Sequence, residues 1–195
     1  MITVITGSMK SGKSDYIINL IEELKQKNIS PKVFYPKILE KESGYIVSRT
    51  GKKHKAIPLT DPINIYSFIG NSKYIIIDEF QFIDNLNTEN KLDFLRFVDY
   101  CIDNDINLYL AGLDLDYRSH GFEIVKECLS IADRVEKLLS TCDYCGKNNG
   151  RRCVKYVDGK IAEFSEEILE MESENVIYKS ACAKCFNEKT RKNKK

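Results

Sequence analysis

The chain has 195 residues, 43% of them hydrophobic and 30% charged, which suffices for one α/β domain with an appended module and excludes two full enzyme domains. Thirty Lys+Arg against 29 Asp+Glu leave a formal net charge of +1, so no global field draws the molecule to nucleic acid or anionic lipid and partners must be argued from sites. No apolar run of about eighteen residues exists to cross a bilayer as a helix, and Met1 leads into Ile2–Thr6 without a basic n-region or cleavage site, so a cytosolic protein is expected.

Ile2–Thr6 reads as a buried strand, and Ile17, Leu20, Ile21 and Leu24 behind it have helical spacing up to a stop at Asn28. Val33-Phe34-Tyr35 reads as a second strand. Lys37 to Lys55 is polar and aperiodic, a loop or exposed hairpin ending at Ala56-Ile57-Pro58. Tyr74–Ile77 is a buried strand by composition, Leu92, Leu95, Val98 and Ile102 mark a helix, and Ile106–Leu110 is a strand running into Ala111-Gly112. A helix over Phe122–Ala132 and a strand over Arg134–Leu139 complete an alternation that predicts a parallel sheet flanked by helices. At Cys142 the texture changes to a smaller module with a hairpin at Val157-Asp158-Gly159-Lys160. The expected division is an α/β domain over 1–140, a cysteine module over 141–187 and a basic, frayed tail over 188–195.

Gly7-Ser8-Met9-Lys10-Ser11-Gly12-Lys13-Ser14 fits G-x-x-x-x-G-K-[ST] between the first strand and the first helix, the context in which the pattern forms a phosphate loop. Its glycines let backbone amides turn toward phosphate oxygens, and the helix amino terminus adds a favourable dipole. Lys13 is placed to reach the β- and γ-phosphates of a nucleotide, and Ser14 to hold Mg²⁺. Asp78 and Glu79 end the strand Tyr74–Ile77 at the sheet edge where α/β proteins bind ligands. Asp78 is expected to serve Mg²⁺ through its water shell. Glu79, uncommitted to the metal, is expected to accept a proton from an attacking hydroxyl.

Four of the seven cysteines form two Cys-x-x-Cys pairs, Cys142/Cys145 and Cys182/Cys185. In a reducing compartment this pattern points to a closed tetrahedral Cys₄ zinc site of structural type rather than to disulfides. A pair of redox-active motifs is the alternative, but neither pair opens a helix after a thioredoxin-like strand. Cys101 and Cys128 read as small core residues; Cys153 has no assignment from sequence.

In their order along the chain, the phosphate loop with Met9 at its third position, Asp78-Glu79-Phe80-Gln81-Phe82, Gly112-Leu113-Asp114-Leu115-Asp116-Tyr117-Arg118 and the two cysteine pairs resemble the type II, cytosolic thymidine kinases. The resemblance spans Ile2 to Phe186. It implies a P-loop NTPase-type sheet with a zinc-ribbon lasso module, transfer of the γ-phosphoryl of MgATP to the 5′-hydroxyl of thymidine or deoxyuridine, structural Zn²⁺, a homotetramer and a place in deoxynucleoside salvage for DNA synthesis. It also implies Glu79 as general base, Arg118 near the phosphates or the acceptor, and Met9, Phe82, Leu113, Tyr117 and Tyr178 along the nucleobase pocket. Ordinary core packing is the other reading of Phe82, Leu113 and Tyr117.

The sequence departs from the family where the lasso faces the base: Arg152-Cys153-Val154 replaces a Thr-x-Arg segment, and Met171-Glu172-Ser173-Glu174-Asn175 replaces a glycine-containing stretch. Leu39-Glu40-Lys41 stands where the family has Asp-x-Arg. A different class of function is a zinc-ribbon P-loop switch or ATPase acting on nucleic acid or a protein, favoured by Arg151, Arg152 and the Lys189–Lys195 run. A terminal charge run is ordinarily a solvated one, and no basic stripe interleaved with aromatics is visible, so nucleic acid is not the expected partner. A degenerate relative without activity fits the lasso changes but not the retained Lys13, Asp78 and Glu79.

Overall fold

Every residue of the first strand, β1 (Ile2–Gly7), is buried, as a central parallel strand covered on both faces requires. The computed structural model describes residues 1–37, 44–61, 65–86, 90–164 and 172–191. Helix α1 (Lys13–Gln26) follows, burying Ile17, Ile18, Ile21 and Leu24. It stops where Asn28 adopts φ 60° while the amides of Asn28 and Ile29 bond back to Lys25 and Leu24, a Schellman ending that suits asparagine.

Strand β2 (Lys32–Pro36) is next, and within the Lys37–Lys55 segment β3 (Tyr45–Val47) and β4 (Lys53–Lys55) pair antiparallel as a hairpin. Leu39, Glu40 and Lys41 lie outside the described residues. The Ala56-Ile57-Pro58 ending continues as β5 (Ile57–Leu59), parallel to β2. After α2 (Ile65–Ile69), β6 (Tyr74–Ile77) leads into a 3₁₀ turn over Phe80–Asn85. Helix α3 (Asn90–Asp103) buries Phe94, Phe97, Val98 and Cys101, whereas Ile102, one of the residues that marked it, is 49% exposed; the Leu92 side chain lies outside the described residues. The aromatic face was selected because Phe97 meets Tyr66 edge-on, ring centroids 5.4 Å apart. Strand β7 (Asn107–Gly112), α4 (Glu123–Ile131) and β8 (Arg134–Leu138) follow, and the strand order is β5-β2-β6-β7-β1-β8. Burial pushes the thiols of Cys101 and Cys128 up to about 12, as expected of inert core cysteines.

The cysteine module has a three-stranded antiparallel sheet, β10-β9-β11, from β9 (Arg152–Val157), β10 (Lys160–Ile161) and β11 (Val176–Ala181), with α5 (Ala183–Thr190) after it. The hairpin at 157–160 is present, its tip at Asp158 and Gly159 with φ 48° and 75°, the two positive values a tight two-residue hairpin turn needs. Residues 188–190, expected in the frayed tail, belong to α5: Thr190 is buried and its hydroxyl donates to the Phe186 carbonyl at 2.8 Å. Residues 192–195 lie outside the described residues.

Compactness divides the chain into one unit of Met1–Thr6, Gly12–Gly112 and Glu123–Glu136, and another of Gly7–Ser11, Leu113–Phe122 and Lys137–Lys195. The second unit thus includes two short segments, Gly7–Ser11 and Leu113–Phe122, that precede the cysteine pairs in sequence. Contacts of Ser8, Met9 and Lys10 with Ser140, Ser180 and Asp143 hold the first segment, and the bond from the Tyr117 hydroxyl to the Glu163 carbonyl contributes to holding the second.

Candidate functional site

In the first unit, sheet register levels two key positions. Val4 of β1 and Ile77 of β6 both align with Leu110 of β7, so β1 and β6 end at the same edge with one strand between them. Adjacent strands are about 4.8 Å apart, a span that side chains from the two ends can bridge. They do: the Ser14 hydroxyl, in the first turn of α1, donates to Asp78 Oδ2 at 3.4 Å. Lys13, beside it, is buried. The amino end of α1 is capped by Gly12 at φ 86° with no side-chain hydrogen bond, and a helix start is where backbone amides and the helix dipole favour an anion.

Gly7, at the start of the motif, has φ 153°, and a Cβ there would lie 2.5 Å from the Leu138 carbonyl oxygen and 2.6 Å from Ser11 Oγ. Only glycine fits. Lys10 also adopts a left-handed conformation, φ 65°, which carries strain for a side chain of that type.

The two acids have different partners. Asp78 is 2% exposed; its amide donates to the Phe34 carbonyl, its Oδ1 accepts from the Glu79 amide at 3.0 Å, and its Oδ2 faces Ser14. Glu79 turns away through a left-handed backbone, φ 56° and ψ 35°, and its Oε2 accepts from Gln81 Nε2 at 2.8 Å. Gln81 is 1% exposed, and a Cβ on Gly112 would lie 2.3 Å from its Oε1, so the amide lies flat against the end of β7. Sequence reasoning passed over Gln81; the signals available were a glutamine two residues beyond the acid and the unadorned Gly112. Phe82, in the same 3₁₀ turn, is partly buried.

In the second unit, Met9, Tyr117, Cys153, Ala162, Val176, Tyr178 and Phe164 form one apolar cluster. Three of the expected base-pocket residues, Met9, Tyr117 and Tyr178, thus meet, and Cys153, unassigned from sequence, is part of their packing. The Tyr117 hydroxyl donates to the Glu163 carbonyl at 2.8 Å, and the Lys155 ammonium, on a residue 1% exposed, lies 5.2 Å from the Tyr117 ring centroid. Leu113 is partly buried and outside this cluster. Arg118 engages Asp116 through both Nε and Nη2 at 2.9 Å, while Asp116 Oδ1 accepts the amides of Arg118 and His120, which fixes the guanidinium to its own loop.

The sulfurs of Cys142, Cys145, Cys182 and Cys185 lie within 4.8 Å of one another, with Cys145 and Cys182 at 4.0 Å. Tetrahedral Zn–S bonds of about 2.3 Å put sulfurs about 3.8 Å apart, so the donor set fits zinc in number, type and spacing. Burial pushes the Cys142 thiol up, but backbone hydrogen bonds at Cys182, Tyr144 and Cys145 outweigh it and bring it down to about 6. The hydrogen bond with Cys182 pushes the Cys185 thiol up to about 12. Four thiols this close compete for ionisation, a conflict that a dication removes.

A mixed α/β protein with a parallel sheet, a glycine loop entering its first helix, two acids at the matching strand end and a four-cysteine module is thereby defined. Compared with known families, it matches thymidine kinase over residues 1–186. The chain belongs to the thymidine kinase family. Thymidine kinase of Mycoplasma genitalium is 32% identical over 145 residues, a match spanning 73% of this chain and 65% of that protein. Among solved structures, C. elegans PCH-2 matches 71% of this chain and 35% of its own at a TM-score of 0.42 and 17% identity, a likeness too weak to bear on fold or function.

Proposed function

We propose that the chain is an ATP-dependent deoxynucleoside kinase that transfers the γ-phosphoryl of ATP to the 5′-hydroxyl of thymidine or deoxyuridine. Family membership supports the reaction class. The observation that carries the assignment of roles is the separation of the two acids, Asp78 turned to Ser14 and Glu79 turned to Gln81.

Phosphoryl transfer asks the protein mainly for positioning and charge stabilisation. Lys13 and the amides opening α1 would hold the polyphosphate. Ser14 and Asp78 are the pair that would hold Mg²⁺, which supplies charge neutralisation at the phosphates when bound. Glu79, whose carboxylate is not spent on Ser14, would take the proton of the 5′-hydroxyl as it attacks. Met9, Phe82, Leu113, Tyr117 and Tyr178 would present the base, and Arg118 would stand near the phosphates or acceptor. The four cysteines would hold a structural zinc. A homotetramer in the cytosol, serving deoxynucleoside salvage, completes the reading.

The test is ADP release with a panel of deoxynucleosides, with and without nucleic acid. Release that depends on thymidine or deoxyuridine, and that Glu79→Gln lowers by about 10² or more while ADP binding persists, is expected. Full turnover in Glu79→Gln removes that residue as base, and release driven by nucleic acid instead would replace the kinase with a nucleotide switch.

A further inference from the structure

Three consecutive residues of the phosphate loop are tied to residues that flank the zinc ligands. The Ser8 hydroxyl lies 2.9 Å from Ser140 Oγ and 3.2 Å from Ser180 Oγ, and it donates to the Gly150 carbonyl at 3.4 Å. Ser140 and Ser180 also bond to each other. The Ser180 hydroxyl reaches the Met9 carbonyl at 3.2 Å. Lys10 pairs with Asp143 at 3.1 Å, and Asp143 Oδ2 accepts the Ser180 amide at 2.7 Å. Ser140 and Ser180 each stand two residues before a ligand, Cys142 and Cys182, and Asp143 lies between Cys142 and Cys145.

The contacts differ in weight. The Lys10–Asp143 pair is about a third exposed on both sides, 31% and 32%, and such pairs contribute little. Ser8, Ser140 and Ser180 are buried, where each hydroxyl left unpaired would be costly. Gly150 belongs to the same arrangement: a Cβ on it would lie 2.4 Å from Ser140 Oγ and 3.2 Å from Ser180 Oγ, so the chain can pass only as glycine.

We infer that Ser140, Asp143 and Ser180 are positioning residues for the phosphate loop, so that occupancy of the four-cysteine centre sets the affinity of the chain for nucleotide. This rests on the reading of Gly7–Ser14 as the nucleotide site. The metal fixes where the two cysteine turns stand; they fix Ser140, Asp143 and Ser180; these fix Ser8, Met9 and the left-handed Lys10. Linkage requires the converse, that bound nucleotide tightens metal retention by the same factor.

The experiment measures ADP affinity of the full chain at constant Mg²⁺, zinc-loaded and after treatment with a zinc-selective chelator. At least tenfold weaker ADP binding is expected without zinc, restored on its return, and ADP should raise the chelator concentration for half-removal by a matching factor. To separate this effect from unfolding of the metal-free chain, Ser180→Ala is measured with its zinc content verified: about tenfold weaker ADP binding with full zinc supports the inference. ADP affinity within twofold of wild type in that zinc-loaded variant, or a chelation midpoint indifferent to ADP, overturns it. Absence of ADP binding by the zinc-loaded wild-type chain would remove the nucleotide reading and this inference with it.

Discussion

Gln81 holds Glu79: its side-chain amide donates to Glu79 Oε2 at 2.8 Å from a site 1% exposed. A carboxylate on a left-handed residue at the head of a turn has rotamers to choose from, and this bond selects one. Gln81→Met keeps the volume and loses the donor. With Glu79 as base, kcat should fall about tenfold or more while KM for ATP and nucleoside stay within twofold, since reactive geometry alone is disturbed. In a Glu79→Gln background the same change should cost almost nothing further, the non-additivity expected of residues acting as a unit. Steady-state kinetics of the four proteins in the cycle decide it.

Gly112→Ala tests the same amide from behind. The new methyl would need the space of Gln81 Oε1, 2.3 Å away, and of a Phe80 ring carbon at 2.8 Å. Overpacking of this kind costs about 1–3 kcal/mol. Both a lower denaturation midpoint and a fall in kcat like that of Gln81→Met are expected; unaltered stability would mean that the end of β7 yields easily.

Tyr117→Phe removes the bond from Tyr117 to the Glu163 carbonyl, 2.8 Å long. Glu163 is exposed, so its carbonyl can be rehydrated and the loss stays near 1 kcal/mol. Felt wholly in nucleoside binding, that loss would raise KM by at most about fivefold with kcat nearly unchanged. A kinetic comparison on thymidine checks it, and a fall in kcat at constant KM would place Tyr117 nearer the chemistry than its packing suggests.

His54, in β4, has its basicity lowered by burial and by the charge of Lys25, against a smaller opposing effect of Glu22. A group whose protonation is disfavoured in the folded state takes up more protons on unfolding, so its effect on stability is absent well above its ordinary value of 6.5 and destabilises as pH falls through and below it. The ring is only half-buried, and screening keeps the effect small. His54→Gln should therefore flatten the decline of the denaturation midpoint between about pH 7 and 5. An equal decline in both proteins would assign it to other groups.

The glycine loop between β1 and α1, the two acids ending β6 and the pairing of the cysteines are legible in the sequence because each is a local pattern set by backbone geometry or ligand number. The Asp158-Gly159 turn was legible for the same reason. What escaped is tertiary. Phe94, Phe97 and Cys101 displaced Ile102 from the buried face of α3 because Tyr66, from another helix, offers an edge to Phe97. Ile57–Leu59 became a sheet strand only because β2 presented a free edge. Cys153 gained its meaning from Tyr117 and Tyr178, and Gln81 from Gly112; no spacing rule connects either pair.

The sequence separations within the serine cluster set its place in the order of folding. Ser8 meets Ser140 and Ser180 at 132 and 172 residues' distance, so closing the cluster brings together segments from far apart in the chain. Contacts of such range form late and slowly.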